Sequence, residues 1–305
     1  MRVEFAQAML NAFDRNDNLA FITGDLGYMA LEKVQVKFGE RFINAGVAEQ
    51  NMITVSAAMA HEGFIPFVYS ISPFVTLRPY EQIRNDVCLH NLPVKLVGNG
   101  GGYGYGIMGA THHNIEDIGA MRILPNMKVY VPFTASDVEQ AVGQMIADKN
   151  PNYLRLNMGA KIPQEVAPFA QWRKIKDARL PDGQGTKSVV VGTGPVTEHI
   201  LNSALADDLE VWVVSIFPIT QLPAELIASI NATQKLITIE EHTGECGLCE
   251  TLSYHLMNHL TSNIKTLSLA ANGYPSGRYG DQKFHQAENS LGGEAMISAL
   301  NQFLQ

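Results

Sequence analysis

The feature of this sequence that most restricts its fold is a regular alternation of apolar β-branched runs with amphipathic stretches over its first 160 residues. Alternation of this kind predicts a parallel sheet with helices on both faces. The predicted strands are Leu19–Thr23, Phe42–Asn44, Ile65–Tyr69, Val94–Gly98, Lys128–Val131 and Tyr153–Arg155. The predicted helices are Val3–Arg15, Leu31–Phe38, Ala48–His61, Thr76–Asn91, Ile115–Ile123 and Ala135–Asp148, the last capped by Thr134.

The alternation is interrupted after about residue 160 by prolines and mixed charge without a sustained period, which predicts a linker at residues 166–186. A second alternating series then begins and ends in a predicted helix, Gly293–Phe303. Its predicted strands are Ser188–Val191, Val211–Ser215, Leu236–Ile239 and Ile264–Leu269. The sequence therefore predicts an α/β protein of two doubly wound domains, residues 1–165 and a smaller one at 187–305.

Charge and hydropathy restrict the partners and the compartment. The net charge of −8 provides no positive field for nucleic acid or an anionic membrane. No apolar run approaches the roughly 20 residues that span a bilayer, and the N-terminal segment is typical of an amphipathic helix rather than a signal peptide. We therefore expect a cytoplasmic protein with neither a nucleic-acid nor a membrane partner.

The three cysteines offer little chemistry by their spacing. Cys88, Cys246 and Cys249 are an odd number in a large chain, which is a poor disulfide framework and fits a reducing compartment. The Cys246-x-x-Cys249 pair beside His242 supplies too few ligands for a structural zinc, and its context does not resemble a thiol-exchange site. Small buried residues at a tight turn are the favoured interpretation, and no metal site is predicted.

Four segments combine glycine, acidic, histidine or aromatic residues where predicted strands end, the edge at which doubly wound sheets bind ligands. They are residues 23–28, 44–52, 72–86 and 98–117. Glu49 lies at the start of a predicted helix, where the helix dipole stabilises any acid, so an ordinary first-turn glutamate is the alternative to a site residue. The glycine-rich segment lacks a phosphate-loop motif, and His112 and His113 could be polar residues of a loop.

Three of these segments resemble, in order, motifs of the thiamine-diphosphate enzymes of the transketolase group. They are INAGVAEQNM, SPFVTLRPYEQIRND and GATHHNIEDIGAMRILPNM, and the second domain adds EEHTGECGLCE, with Cys246 and Cys249 at usual glycine positions. The resemblance runs from end to end. It implies a pyrimidine-binding domain at 1–165 and a transketolase C-terminal domain at 187–305.

The resemblance gives Glu49 a catalytic and cofactor-binding role. The corresponding glutamate hydrogen-bonds ring nitrogen N1′ of the aminopyrimidine and favours the imino form that removes the thiazolium proton. Such a role requires a carboxyl in a dry pocket that can share a proton with a weakly basic nitrogen. The cofactor ring then serves as the electron sink.

Further site residues follow from the same resemblance. Asp25 and Leu26 correspond to the acid near the cofactor and its apolar support. Phe74, Arg78 and Tyr80 correspond to the segment lining the aminopyrimidine pocket, with Phe74 as the expected stacking ring and core packing as the alternative for Phe74 and Tyr80. His112 corresponds to the histidine that polarises substrate oxygens, and His113 is expected to lie behind it.

A missing motif predicts a partner. The family binds the cofactor's diphosphate through magnesium with a Gly-Asp-Gly…Asn motif, and this chain has no Gly-Asp-Gly, since Asp25 precedes Leu26. The resemblance therefore implies the C-terminal subunit of a split transketolase, completed by an N-terminal subunit that carries this motif and the magnesium. Because thiamine sites of the family lie between subunits, we expect an α2β2 assembly.

The predicted reaction is transfer of a two-carbon ketol unit from a ketose to an aldehyde. Two alternatives are of the same enzyme class: a β subunit of a 2-oxo acid dehydrogenase and a deoxyxylulose-phosphate-synthase-like decarboxylating enzyme. An alternative of a different class is a non-catalytic regulatory subunit. Three methionines depart from the transketolase pattern: Met108 replaces an aspartate that recognises hydroxyls, and Met29 and Met158 replace a serine and an arginine that hold sugar phosphate. A standard phosphosugar substrate is therefore in doubt.

Overall fold

Two mainly parallel sheets organise the protein in the computed structural model, which describes residues 1–27, 29–162, 166–178 and 185–305. The strands are β1 Leu19–Thr23, β2 Phe42–Asn44, β3 Ile65–Ile71, β4 Lys95–Asn99, β5 Lys128–Tyr130, β6 Asn152–Leu156, β7 Trp172–Lys176, β8 Ser188–Thr193, β9 Leu209–Val214, β10 Ile216–Phe217, β11 Lys235–Thr243 and β12 Lys265–Ala271. The predicted α/β class with two parallel sheets is thereby confirmed.

Helices connect the strands as the right-handed crossover of parallel sheets requires. They are α1 Arg2–Phe13, α2 Glu32–Phe38, α3 Glu49–His61, α4 Ser72–Thr76, α5 Tyr80–Gln82, α6 Asp117–Arg122, α7 Asp137–Ala147, α8 Glu198–Leu201, α9 Ala224–Thr233, α10 Leu248–Leu256, α11 Gln282–Glu288 and α12 Gly293–Leu304. Among the described residues, no helix is long and apolar enough to span a membrane.

The first sheet has the strand order β10-β5-β6-β4-β3-β1-β2, and only β10 runs antiparallel to its neighbour. Its central strands β1 and β6 are buried along their whole length, as expected for strands covered by helices on both faces. The second sheet has the order β12-β11-β8-β9-β7, with β7 antiparallel to β9. Strand β10, which follows β9 along the chain, thus joins the second half of the chain to the first sheet.

Part of the predicted linker is a strand of the second sheet. β7 lies within residues 166–186, and Arg173 in it holds Asp137 of α7 through two contacts of 2.7 Å, with both side chains buried. A bidentate, buried arginine–carboxylate pair has a demanding geometry, so it fastens this strand to the first domain. Residues 163–165, at the predicted domain boundary, and 179–184, within the predicted linker, lie outside the described residues.

The predicted helix Thr76–Asn91 is wrong as a single element. The chain forms α4, breaks at residues 77–79, and continues as α5 and a π-helix over Ile83–Cys88. Pro79 explains the break because proline lacks an amide donor and disfavours helical backbone in the residue before it. The consequence for the site is that Phe74 and Tyr80 lie on separate helices.

The predicted N-cap of α7 is also wrong. Thr134 makes no cap contact; its hydroxyl lies 2.9 Å from that of Ser136. The carboxylate of Asp137 instead accepts from the backbone amides of Phe133 and Thr134, at 2.8 and 3.0 Å. A carboxylate satisfies these donors and also pairs with Arg173, which a threonine hydroxyl cannot do.

The two domains share apolar and polar contacts. One hydrophobic cluster contains Met121 of the first domain together with Leu248 of the second. Buried Arg155, at the end of β6, pairs with Asp117 at 2.8 Å and donates to the backbone oxygen of Glu241 at 2.9 Å. The interface between domains therefore lies directly beneath the loops that follow the first sheet.

Candidate functional site

The sequence-predicted site residues lie at one edge of the first sheet. Asp25 follows β1, Glu49 begins α3 after β2, Phe74 lies in α4 after β3, and His112 lies in the loop after β4. Parallel strands end at a common edge, and this is where doubly wound sheets bind ligands. The fold thus brings residues up to 87 positions apart to the same side of the molecule.

Glu49 is the first residue of α3 and is only 7% exposed. It lines a cleft of about 400 Å³ with Val47, Ala48, Gln50, Asn51 and Arg78. The positive end of α3 favours a negative charge at this position. A largely buried carboxyl that faces a cleft is a group able to bind a polar ligand atom.

Arg78 connects Glu49 to the aromatic part of the site. Its Nη1 lies 3.3 and 3.4 Å from the two carboxylate oxygens of Glu49. Its Cζ lies 3.6 Å from the centre of the Phe74 ring. The ring of Phe74 in turn meets that of His112 at 5.2 Å, edge to face. Glu49, Arg78, Phe74 and His112 therefore form one continuous wall, here called the Glu49–His112 wall.

The contacts of Arg78 test whether an aminopyrimidine fits this wall. A guanidinium is flat and carries N–H donors. In this position it stacks on Phe74 and hydrogen-bonds the carboxylate of Glu49. The same pair of side chains can serve any flat nitrogenous ring that stacks on an aromatic face and offers a hydrogen bond to a carboxyl. Glu49 and Phe74 therefore fit the aminopyrimidine that the resemblance implies, provided that Arg78 turns aside to make room for it.

His112 is half-buried at the end of the glycine-rich loop. Its Nδ1 lies 2.9 Å from the hydroxyl of Thr111, so Nε2 is the nitrogen left for other contacts. Tyr105 also contacts the ring, with centres 5.8 Å apart, and the amide of Asn99 donates to the Tyr105 hydroxyl at 2.8 Å. The imidazole therefore contacts two aromatic rings, Phe74 and Tyr105, and one of its nitrogens is already engaged.

Asp25 and Leu26 line a second, smaller cleft of about 140 Å³. The amide nitrogen of Asn44 donates to the carboxylate of Asp25 at 3.3 Å. The residues that line this cleft and those that line the Glu49 cleft do not overlap. The structure thus places Asp25 and Leu26 beside the Glu49–His112 wall but in a different depression.

Tyr80 is placed away from the wall. Its hydroxyl donates to the carbonyl oxygen of Ala120 at 3.0 Å, and its ring packs against the hydrophobic core. Neither Tyr80 nor Phe74 lines the Glu49 cleft itself, but the ring of Phe74 contacts Arg78, which does. The geometry favours the core-packing alternative for Tyr80, while Phe74 faces the wall.

A buried polar network beneath the wall was missed by the sequence analysis. Asp117 is fully buried and accepts from Arg155, from Tyr153 at 2.7 Å and from Ser72 at 3.2 Å. Asn114 donates to Ser72 at 2.8 Å. Because Ser72 begins α4, which carries Phe74, and Asn114 follows the two histidines, the network connects the Phe74 and His112 segments of the wall. An arginine inside an otherwise apolar strand was the available signal.

The three methionines that depart from the transketolase pattern are exposed. Met29 is 91%, Met108 54% and Met158 69% exposed, and they follow β1, β4 and β6 at the edge that carries the site. Single exposed apolar side chains are common. Three large ones at the same edge of the sheet are suited to contact with another molecule, such as a ligand or a partner chain.

The EEH segment, Glu240 to His242, lies at the end of β11 rather than in a turn, and it contacts the first domain. Nε2 of His242 accepts from the backbone amide of Gly119 at 3.0 Å. The expectation that both cysteines are buried at a tight turn is wrong: Cys246 is exposed, with φ 54° in the left-handed region that glycine favours, and Cys249 is half-buried within α10. The described residues contain no group of three or more His, Cys, Asp or Glu side chains able to hold a metal.

Burial raises the pKa of Glu240 to about 8 from an ordinary 4.5, against hydrogen bonds from the backbone amides of Leu248 and Cys249. Between these pH values the native carboxyl is protonated and the unfolded one is ionised. The free energy of unfolding should therefore fall as pH rises from 4.5 to 8, by up to about 1 kcal/mol per pH unit. Glu240→Gln should remove this slope, measured by urea unfolding at several pH values.

Glu245→Gln is the matched control, because Glu245 is an exposed carboxyl in the turn that follows β11. It should keep the wild-type slope. Equal slopes for wild type and Glu240→Gln would contradict the assignment.

Comparisons with known proteins identify the family of both domains. The family model described as "Transketolase, pyrimidine binding domain" matches residues 1–160, and "Transketolase, C-terminal domain" matches residues 178–285. The chain is 29% identical to an apulose-4-phosphate transketolase subunit of Actinobacillus succinogenes, over 86% of this chain and 84% of that protein. It is 28% identical to 1-deoxy-D-xylulose-5-phosphate synthase of Clostridium perfringens, over 88% of this chain but only 44% of that protein.

A solved structure is also similar over nearly its whole length. It is a split-gene transketolase described as an inactive β4 tetramer, with a TM-score of 0.80 and 25% sequence identity. The match covers 99% of this chain and 96% of the other. The similarity therefore extends over both domains and their arrangement.

Proposed function

The chain belongs to the transketolase family, and from this premise we propose that it is the C-terminal, β-type subunit of a thiamine-diphosphate-dependent split transketolase. In this proposal, the assembled enzyme moves a two-carbon ketol unit from a ketose to an aldehyde. The domain limits 1–165 and 187–305 and a location in the cytoplasm are parts of the same proposal.

The Glu49–His112 wall is the observation that carries it. A regulatory subunit has no need of a largely buried glutamate at a cleft, reached through an arginine and an aromatic ring from a histidine. The bound cofactor supplies the carbon nucleophile and the electron sink of the reaction. The remaining tasks fall to side chains of this chain.

Each residue of the wall has a task that its chemistry suits. Glu49 holds a proton at ring nitrogen N1′ of the aminopyrimidine, Phe74 stacks on that ring, and Arg78 lines the same pocket. His112 donates to or accepts from the substrate's oxygens through Nε2. Asp25 and Leu26, which line the smaller cleft, are assigned to the cofactor as well. Tyr80 supports this group from the core rather than touching the ring.

The diphosphate and its magnesium are assigned to a partner. Two diphosphate charges require a metal with oxygen ligands, and among the described residues no cluster of acids and histidines provides one. We assign that half of the site to an N-terminal subunit with the Gly-Asp-Gly…Asn motif, in an α2β2 assembly that acts on small sugars. The similar split-gene transketolase is described as inactive as a β4 tetramer, which supports the need for a partner.

A decarboxylating reaction is the second candidate. It is favoured by the similarity to a 1-deoxy-D-xylulose-5-phosphate synthase, of which this chain covers less than half. That enzyme class joins a 2-oxo acid to an aldehyde and releases CO2, whereas ketol transfer releases none. Carbon dioxide release from a 2-oxo acid therefore separates the two, and so does the use of a ketose donor. A 2-oxo acid dehydrogenase β subunit would also release CO2.

Reconstitution tests the proposal. The chain alone is expected to show neither turnover nor magnesium-dependent binding of thiamine diphosphate, because it lacks the diphosphate half of the site. Addition of the copurified N-terminal subunit should restore both, measured by calorimetry and by ketol transfer. Micromolar binding of thiamine diphosphate to the isolated chain would contradict the split site.

A further inference from the structure

The C-terminal domain contributes none of the predicted site residues, yet it covers the loop that carries His112. The hydroxyl of Tyr103 in this loop donates to Gly273 at 2.7 Å, and its backbone amide donates to Glu241 at 2.6 Å. Gly109 packs closely against Tyr279: a Cβ added at Gly109 would lie only 2.8 Å from the tyrosine ring. The second domain therefore contacts the loop directly, at several points along its length.

The loop is rich in glycine and is built from short turns that its own backbone hydrogen bonds close. Gly106 and Gly109 have φ of 47° and 74°, a region that residues other than glycine rarely adopt. Glycine has the largest conformational freedom to lose, so a loop built on it needs external contacts to hold one conformation. The backbone amides of His112 and His113 both donate to the carbonyl oxygen of Gly109, which closes the turn locally.

His113 fastens this turn to the second domain. Its Nε2 lies 2.8 Å from the carbonyl oxygen of Gly106, and its Nδ1 lies 2.9 Å from the hydroxyl of Tyr274. A carbonyl can only accept, so Nε2 carries the hydrogen; Nδ1 of the neutral ring must then accept from Tyr274. One tautomer thus satisfies both nitrogens, provided that the tyrosine hydroxyl donates.

The protonation of both side chains agrees with this direction. Burial lowers the pKa of His113 to about 4, which keeps the imidazole neutral near neutral pH. Burial raises the pKa of Tyr274 to about 12, which keeps its hydroxyl as a donor. The rings also stack, with centres 5.7 Å apart and an angle of 19° between planes.

We propose that Tyr274 of the C-terminal domain is a positioning residue for His112, acting through its hydrogen bond to Nδ1 of His113. The inference rests on the proposed function, because it assigns His112 to the substrate. Its structural part stands separately: the hydroxyl of Tyr274 holds the segment from Gly106 to His113 in the conformation that presents Nε2 of His112 to the site.

Tyr274→Phe tests this role because it removes the hydroxyl and keeps the ring stacking. Amide hydrogen exchange of peptides covering residues 104–113 should accelerate by about tenfold, the effect of leaving one buried acceptor unpaired. Exchange in β8 and β9 should not change. In ¹⁵N NMR spectra, Nδ1 of His113 should move toward the position of an unbonded nitrogen, with Nε2 still protonated. Tyr254→Phe, at an exposed tyrosine of α10, is the control and should change none of these.

Kinetics with the partner subunit present supply the link to His112. Tyr274→Phe should lower kcat by about fivefold to tenfold with little change in KM. In a His112→Ala background it should lower kcat no further, because the residue that it positions is gone.

Unchanged exchange at 104–113, equal acceleration in β8 and β9, or an additive loss in the His112→Ala background would each overturn the proposal. If the assembled enzyme shows no ketol transfer at all, the proposed function fails. Hydrogen exchange and NMR would still determine whether the Tyr274 hydroxyl holds the segment from Gly106 to His113.

Discussion

Glu49→Gln in the enzyme reassembled with its N-terminal subunit is expected to lower kcat by about a hundredfold or more, with the fold unchanged. Glutamine keeps the shape and a hydrogen-bonding oxygen, but it cannot hold or release the proton that the aminopyrimidine nitrogen shares with a carboxyl. The measurement is kcat for ketol transfer at saturating cofactor, with circular dichroism and thermal unfolding to check the fold.

The surroundings of Glu49 explain why the loss should be large. The carboxyl is 7% exposed, so water has little access to take over its role. Arg78 is a positively charged neighbour whose guanidinium only donates hydrogen bonds to this carboxylate. Among the side chains that line the cleft, Glu49 is therefore the one suited to acid–base chemistry.

Two comparison variants sharpen the test. Glu62→Gln changes an exposed carboxyl at the opposite end of α3 and should leave kcat unchanged. His112→Ala should have a milder effect than Glu49→Gln, and its size should vary with the substrate, because the proposed function assigns His112 to substrate oxygens rather than to the cofactor. Near-normal turnover by Glu49→Gln would reduce Glu49 to a first-turn helix residue, the alternative that its position alone allows.

The strands of the first sheet were the part of the fold that local sequence determined best. The predicted bounds of β1 and β2 agree with the structure residue for residue. Strand β1 is buried throughout and is flanked by polar residues, so its apolar run and its limits are visible in the sequence. β7 was missed because the segment Trp172–Lys176 carries three charges in five residues, and its place depends on pairing with β9 about forty residues later.

The difference between local and long-range contacts also explains which candidate site residues the sequence indicated and which contacts it missed. Glu49, Phe74, Arg78 and His112 lie in short motifs, and the structure joins them in one wall. The hydroxyl of Tyr274 hydrogen-bonds His113, which is 161 residues earlier in the chain, and Glu241 accepts from Tyr103, which is 138 residues earlier. No local spacing encodes such contacts, because they depend on how the two domains pack.

The second large effect concerns the substrate, and it follows from Met29, Met108 and Met158. The resemblance to transketolases implies that each replaces a polar residue, and a thioether neither accepts strongly from a sugar hydroxyl nor pairs with phosphate. Loss of a hydrogen bond to a charged group typically costs about 1.5 to 3 kcal/mol. Compared with a transketolase that keeps these polar residues, we expect kcat/KM for common pentose and hexose phosphates to be lower by about tenfold or more for each lost contact.

The comparison to make is kcat/KM for xylulose 5-phosphate against non-phosphorylated or modified ketoses, with the partner subunit present. Met158→Arg returns the residue of the transketolase pattern at an exposed position, so it should raise kcat/KM for the phosphate selectively by about tenfold or more. Met257→Arg, at an exposed methionine beyond α10, adds the same charge outside the site and should not. Equal or better use of the phosphate by the wild-type enzyme would mean that the partner subunit supplies the anion site. The three methionines would then shape the distal end of the pocket without excluding phosphate.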